Sequence, residues 1–295
     1  MTNLTTRGTF LKTCAIGAWQ LGRQSRAAED APFPFFALCM DTHDAKKRTV
    51  AQQAELLKEL GFDGAGHLWL DGLSERLATL DAAGLKLFQV YVSLDIGPKA
   101  KQAYDPRFGA SMALLKGRGV SLGVLISGGK PSDPTLDGRA VELVQEMADL
   151  AAPHGVRMAL YPHANNWLER VDDGVRVARK AARDNVGAMF NLCHWLKTED
   201  ESQMKPLLQA AMPHLFAVSI NGADTGAEIK AKTGNWIQPL GSGSFDVFSL
   251  LKTLGELGYR GPVGLQCYGI PGDARDHLAR SIAAWRGLSA RLNRT

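Results

Sequence analysis

Three histidines of this chain stand at or just past the ends of short apolar runs: His67 after Gly64-Ala65-Gly66, His163 in Leu160-Tyr161-Pro162-His163, and His194 in Phe190-Asn191-Leu192-Cys193-His194-Trp195. Histidine titrates nearest to neutral pH, so a place where several imidazoles converge can take up and return a proton. His154, His214 and His277 lack that setting and are expected to be structural. Other run ends carry neutral polar groups: Tyr161, Asn191, Ser219, Asn221 and Gln266. Buried amides are costly without partners, so a polar cavity explains them better than a dry core. His163 and His194 are the candidate acid and base. Tyr161, Asn191, Asn221, Gln266, His67, Lys197 and Trp195 are the candidate substrate contacts. Trp69, Trp167 and Trp236 also follow run ends or lie in loops, where an indole can stack on a ligand as readily as pack.

Such a set works only if the runs end on one surface. From Pro32 onward one unit recurs, a helix, a glycine and an apolar strand, with junctions at Gly61, Gly84, Gly119, Gly155 and Gly258. Glycine ends helices in the left-handed conformation, and repeated alternation of this kind predicts a parallel sheet. Eight strands are expected: Phe35–Cys39, Gly64–His67, Leu85–Val92, Val120–Ser127, Val156–Tyr161, Val186–Asn191, Leu215–Ile220 and Val263–Gln266. Their interiors are continuously apolar, as in strands covered on both faces. Stripes at helical spacing, Val50, Ala54, Leu57 and Leu60, then Leu278, Ile282, Trp285 and Leu292, are core-facing surfaces. Eight strands over residues 32–295 predict a single-domain (β/α)8 TIM barrel, an α/β fold whose chemistry sits at the C-terminal strand ends. An open doubly wound sheet is disfavoured, because Cys39-Met40-Asp41-Thr42 offers no glycine-rich phosphate loop after the first strand. The long segments Asp95–Arg107 and Asn221–Ser244 are expected to shape access to the site.

The 295 residues are 45% hydrophobic with a net charge of +4, and no apolar run reaches the roughly 18–20 residues of a membrane span. No basic block with interleaved aromatics is present, so nucleic acid is not an expected partner. The four cysteines form no C-x-x-C pair and fix no redox compartment. Thr6-Arg7-Gly8-Thr9-Phe10-Leu11-Lys12 resembles a twin-arginine export motif, with Gly8 in place of the second arginine, followed by an apolar stretch to Leu21. Residues 1–28 are therefore expected to be an export leader, with a periplasmic protein, or else a disordered tail on a cytoplasmic one. Assembly into a homo-oligomer is left open.

Three segments carry a resemblance: Leu60-Gly61-Phe62-Asp63-Gly64 before the second strand, Asn191-x-x-His194 after the sixth, and Pro239-Leu240-Gly241-Ser242-Gly243-Ser244-Phe245-Asp246 before the last helix–strand pair. Their order resembles the xylose-isomerase-like sugar phosphate isomerase/epimerase superfamily over nearly all the chain after the leader. The resemblance implies a sugar or keto-sugar substrate and proton abstraction next to a carbonyl. It also implies a divalent metal held by glutamate, aspartate, histidine and glutamate at the ends of strands five to eight. The corresponding positions here are Tyr161, Asn191, Ser219 and Gln266, none of them charged. Hard divalent cations select carboxylate oxygens, so no metal is expected at the family's usual position. Zinc or manganese stays open as a cofactor only through a rebuilt site around His163 and His194. The expected activity is isomerase- or epimerase-like. A keto-sugar lyase begins with the same proton abstraction, and a non-catalytic carbohydrate-binding barrel shares the same polar strand ends.

Overall fold

Glycines that end helices set the rhythm of the chain. All five expected junctions take the left-handed backbone, from φ +67° at Gly155 to +91° at Gly258. The computed structural model describes residues 33–294. Its strands are β1 (Phe35–Leu38), β2 (Gly64–Leu68), β3 (Lys86–Asp95), β4 (Ser121–Ser127), β5 (Arg157–Tyr161), β6 (Val186–Asn191), β7 (Leu215–Ile220) and β8 (Val263–Gln266). Each pairs in parallel with the next, and β8 closes on β1 from Phe35↔Val263 to Leu38↔Gln266. The chain is a single-domain (β/α)8 barrel.

Among the described residues, ten α-helices of very unequal length stand between and after the strands: α1 (Val50–Leu60), α2 (Leu73–Ala83), α3 (Phe108–Met112), α4 (Asp137–Ala151), α5 (Val171–Ala181), α6 (Leu192–Thr198), α7 (Met204–Ala211), α8 (Gly226–Lys230), α9 (Val247–Glu256) and α10 (Ala274–Leu292). The expected stripes face the sheet through Ala54 and Leu57 and through Leu278, Ile282 and Trp285, while Val50, Leu60 and Leu292 at the stripe ends are only partly buried. Trp285 stacks on Phe35 of β1, ring centroids 4.1 Å apart. Among the described residues no helix is long and apolar enough to cross a membrane. The expected leader, Met1–Ala28, lies outside the described residues.

Six strand bounds differ from expectation, five of them by one residue and the end of β3 by three. β1 stops at Leu38 because Cys39 turns to φ +54°, and β3 runs on to Asp95, pairing with β4 as far as Asp95↔Ser127. The segment that follows β7 is knitted to itself by an antiparallel bridge, Gly222↔Gln238, and by the Phe245 amide donating to Ala223 O at 3.0 Å. A Cβ on Gly222 would come within 2.1 Å of Pro239 O, so the bridge needs a glycine there.

The barrel has two apolar layers: one between sheet and helices, and an inner plug containing Phe36, Leu38, Tyr91, Tyr161 and Met189. Large inner side chains are matched by glycines on neighbouring strands. A Cβ on Gly66 would lie 2.0 Å from Leu38 Cδ2, and one on Gly123 would lie 2.6 Å from the Tyr91 ring. Gly287, exposed in α10, has nothing within 4 Å of such a Cβ. Gly66→Ala should therefore cost about 1–3 kcal/mol through overpacking. Gly287→Ala should gain about 0.5–1 kcal/mol from helix propensity. Urea midpoints of the two variants check both signs, and equal shifts would contradict this account of the plug.

Candidate active site

Four strand ends meet in one hydrogen-bonded floor. Tyr161 (β5), Asn191 (β6), Ser219 (β7) and Gln266 (β8) are all buried. The Asn191 amide donates from Nδ2 to Tyr161 OH at 2.9 Å and to Ser219 Oγ at 2.7 Å. Its Oδ1 accepts the His194 backbone N–H at 3.1 Å, which makes Asn191 the N-cap of α6, and accepts the Cys193 thiol at 2.9 Å. Gln266 Nε2 reaches Tyr161 OH only at 3.5 Å, and its Oε1 accepts the Tyr268 N–H at 3.1 Å. Tyr91 of β3 lies against Tyr161, ring centroids 5.0 Å apart. Burial pushes both phenols well above their ordinary pKa and the Cys193 thiol up to about 12, so the floor is uncharged at neutral pH.

His163 and His194 lie against each other beside this floor, ring centroids 3.9 Å apart and planes tilted by 41°. The His194 ring meets Tyr161 edge-on at 5.7 Å. The backbone of one residue, Ala164, decides their protonation through two successive peptide units. The Ala164 N–H donates to His194 Nδ1 at 3.3 Å, which leaves the ring proton of His194 on Nε2. The Ala164 carbonyl stands 3.0 Å from His163 Nδ1, which must carry a proton to bond there, so the lone pair of His163 is on Nε2. Neither Nε2 has a protein partner among the described residues. Burial, then the neighbouring His163, then Lys197 depress His194 to about 2, and burial and Lys197 also lower His163. The site thus pairs a neutral imidazole bearing a lone pair with a neutral imidazole bearing an N–H.

The wall beside them comes from the segment after β7. Asn221, fully buried, donates Nδ2 to Gly222 O at 2.7 Å and to Trp236 O at 2.9 Å, which holds Trp236 in place. The Trp236 indole then lies 5.4 Å from the His194 ring and directly under Lys197 Nζ, 2.9 Å from the ring centroid. Asn221 Oδ1 and Tyr91 OH are buried without a hydrogen-bond partner, so this end of the barrel has unmet capacity for polar ligand groups.

Of the expected site residues, the structure gathers Tyr161, Asn191, His163, His194, Gln266 and Lys197, with Asn221 acting through Trp236. Two stand apart. His67 is held between the Asp71 carbonyl, 2.7 Å from Nε2, and the Arg76 Nε–H, 3.4 Å from Nδ1. Trp195 is 2% exposed and packs on Phe190 and Phe245 in the outer layer. Two further groups, Ala164 and Tyr91, went unnoticed. Ala164 acts through its backbone, which no residue type announces; Tyr91 was legible as a lone phenol inside an apolar strand.

The donors present do not suit the divalent metal that the resemblance implies. Tyr161, Asn191, Ser219 and Gln266 offer no carboxylate, and the Asn191 amide hydrogens point at its would-be fellow ligands. His163 and His194 have both Nδ1 atoms engaged by Ala164, and no group of three or more His, Cys, Asp or Glu side chains able to hold a metal occurs among the described residues. The residues do not fit the group.

Residues 26–287 match the family described as xylose isomerase-like TIM barrel. The chain belongs to that family. No curated protein matches it. Among solved structures, an L-ribulose 3-epimerase is 16% identical with a TM-score of 0.69, covering 88% of this chain and 95% of that one. The 3-keto-D-glucoside 4-epimerase YcjR from E. coli is 16% identical with a TM-score of 0.65, covering 86% and 99%. The probable 3-DHS dehydratase AsbF from Bacillus anthracis is 15% identical with a TM-score of 0.64, covering 84% and 97%. At these identities the likeness fixes the fold that this family member shares with them.

The depressed His194 has a stability consequence. The unfolded chain takes a proton near pH 6.5 that the folded ring refuses, so stability is full above that pH and falls as pH drops below it. By pH 5 the loss from this residue is about 2 kcal/mol. His194→Asn keeps an acceptor for the Ala164 N–H and should flatten this acid slope in urea titrations at pH 7 and 5. An unchanged slope would mean that His194 titrates normally.

Proposed function

We propose that this chain catalyses proton transfer at the carbon beside the carbonyl of a sugar or keto-sugar, using imidazoles in place of metal-bound carboxylates. The observation that carries this is the pair of opposite tautomers imposed by Ala164. His163 Nε2 removes the proton α to the carbonyl, and His194 donates its Nε2–H to the oxygen on which charge develops. A neutral imidazole is an apt donor here, because it stabilises an enediolate without delivering a full proton to it. Tyr161, Asn191 and Gln266 form the uncharged floor for hydroxyl groups, and Trp236 offers an apolar face. The sugar epimerases and the dehydratase among the structural neighbours support a substrate of this class.

The number of bases narrows the outcome. Inversion at one carbon needs a second group to return the proton from the opposite face, and His163 alone presents a free lone pair among the paired imidazoles. One base returning its proton to the neighbouring carbon gives isomerisation; one base followed by loss of a β-hydroxyl gives elimination. The same feature therefore favours a keto-sugar lyase as the second reading and disfavours simple epimerisation. The resemblance of Thr6–Lys12 to an export motif supports a periplasmic site of action as part of this proposal.

Wild-type protein incubated with a panel of ketoses in heavy water should exchange a carbon-bound hydrogen, read by proton NMR. His163→Gln should reduce that exchange by about 10²–10⁴-fold, the usual contribution of a general base. The rate should rise with pH through the His163 pKa, which lies below the ordinary 6.5, and stay flat above it. Exchange absent from the wild type while sugars still bind would mean a binding protein. Exchange surviving intact in His163→Gln would remove His163 as the base.

A further inference from the structure

We propose that a cleft beside the central site, built on Trp69, is a second sugar subsite, so that the substrate is a glycoside or disaccharide rather than a free monosaccharide. This rests on the carbohydrate reading of the central site. The cleft has a volume of about 210 Å³ and is bounded by Trp69, Asp71, Ser93, Tyr104, Asp105 and Phe108. That is below the roughly 300–1,000 Å³ of pockets that engulf a whole drug-sized ligand, and it suits one ring of a molecule whose remainder lies elsewhere.

Trp69 is 45% exposed, one of few large apolar side chains so displayed. It also sits at φ +66°, a left-handed backbone that costs a bulky residue of order 1–3 kcal/mol and persists only where its surroundings impose it. Here they do. The Trp69 N–H donates to Tyr91 O at 3.0 Å, and the His67 ring donates to Asp71 O at 2.7 Å on the other side of the turn. His67 is itself fixed by Arg76, which is 3% exposed and donates Nη2 to Gln53 Oε1 at 2.5 Å. A buried guanidinium and an imidazole are thus committed to a turn whose outward product is a bare indole.

The opposite side of the cleft is held equally firmly. Arg107 bridges Asp71 at 2.8 Å and Asp105 at 2.5 Å, joining the β2–α2 turn to the segment after β3. Tyr104 is fixed by a hydrogen bond from its hydroxyl to Glu146 and by edge contact with Phe108. An indole face with carboxylates beside it is the chemistry that recognises a pyranose, through its C–H face and its hydroxyls respectively. The cleft adjoins the central floor through β3: Trp69 is bonded to the backbone of Tyr91, whose ring lies against Tyr161.

The test is calorimetric titration of the full chain with maltose, cellobiose and trehalose, each compared with glucose, using wild type, Trp69→Asn and Trp69→Phe. Asparagine tolerates the left-handed backbone, so Trp69→Asn should melt no lower than wild type. At least one disaccharide should bind wild type about tenfold or more tighter than glucose. Trp69→Asn should erase that advantage while leaving glucose binding unchanged, and Trp69→Phe should keep part of it. Glucose binding without any disaccharide advantage, or an advantage that survives Trp69→Asn, overturns the subsite and leaves the central reading standing. Failure of every sugar to bind overturns both.

Discussion

The side chain of Asn191 is the interaction on which the site depends. It caps α6, joins β5 to β7 through Tyr161 and Ser219, and receives the amide of His194. Only an amide can do this, because the position must donate twice in one direction and accept in the other. An aspartate there would accept everywhere and leave Tyr161 and Ser219 to supply the protons. Asn191 is thus the keystone of an uncharged arrangement. Buried polar networks of this kind are stable when satisfied and costly when broken.

On that floor the backbone of a single residue, Ala164, sorts two identical side chains into different roles. With ring centroids 3.9 Å apart, His163 and His194 cannot both hold a proton cheaply, and the half-exposed His163 is the one able to accept it. The turn Pro162-His163-Ala164 presents an acceptor to one ring and a donor to the other. Lys197, seated on the Trp236 ring, adds positive potential beside the pair. Such potential lowers the proton affinity of both rings and favours negative charge developing on a bound oxygen.

The surroundings are rigid where the chemistry needs them to be. The β7 segment is pinned by its bridge and by the Leu240 N–H donating to Ser281 Oγ at 3.0 Å, and the β3 segment by Arg107. Both long connections flank the mouth of the barrel without belonging to its sheet. The glycine-rich stretch Pro239–Asp246, which looks like a ligand loop, is explained by close backbone approach: a Cβ on Gly243 would meet Ala223 O at 2.0 Å.

The sequence by itself determined the barrel, because its evidence is local. Helix-ending glycines, apolar strands and helical stripes each declare themselves within a few residues, and the order of eight units leaves closure as the economical topology. Strand-end position likewise marked Tyr161, Asn191, His163, His194 and Gln266. What the sequence withheld depends on which groups meet once the chain is folded, whether neighbours along a turn or residues from different strands. Nothing in the type of His67 or Trp195 says that one turns to Asp71 and Arg76 and the other into the helix layer. The tautomers of the histidine pair rest on Ala164, whose side chain carries no signal, and the display of Trp69 rests on a backbone angle. Periodicity is written along the chain, whereas proton placement and exposure are decided only when the strands close around one axis.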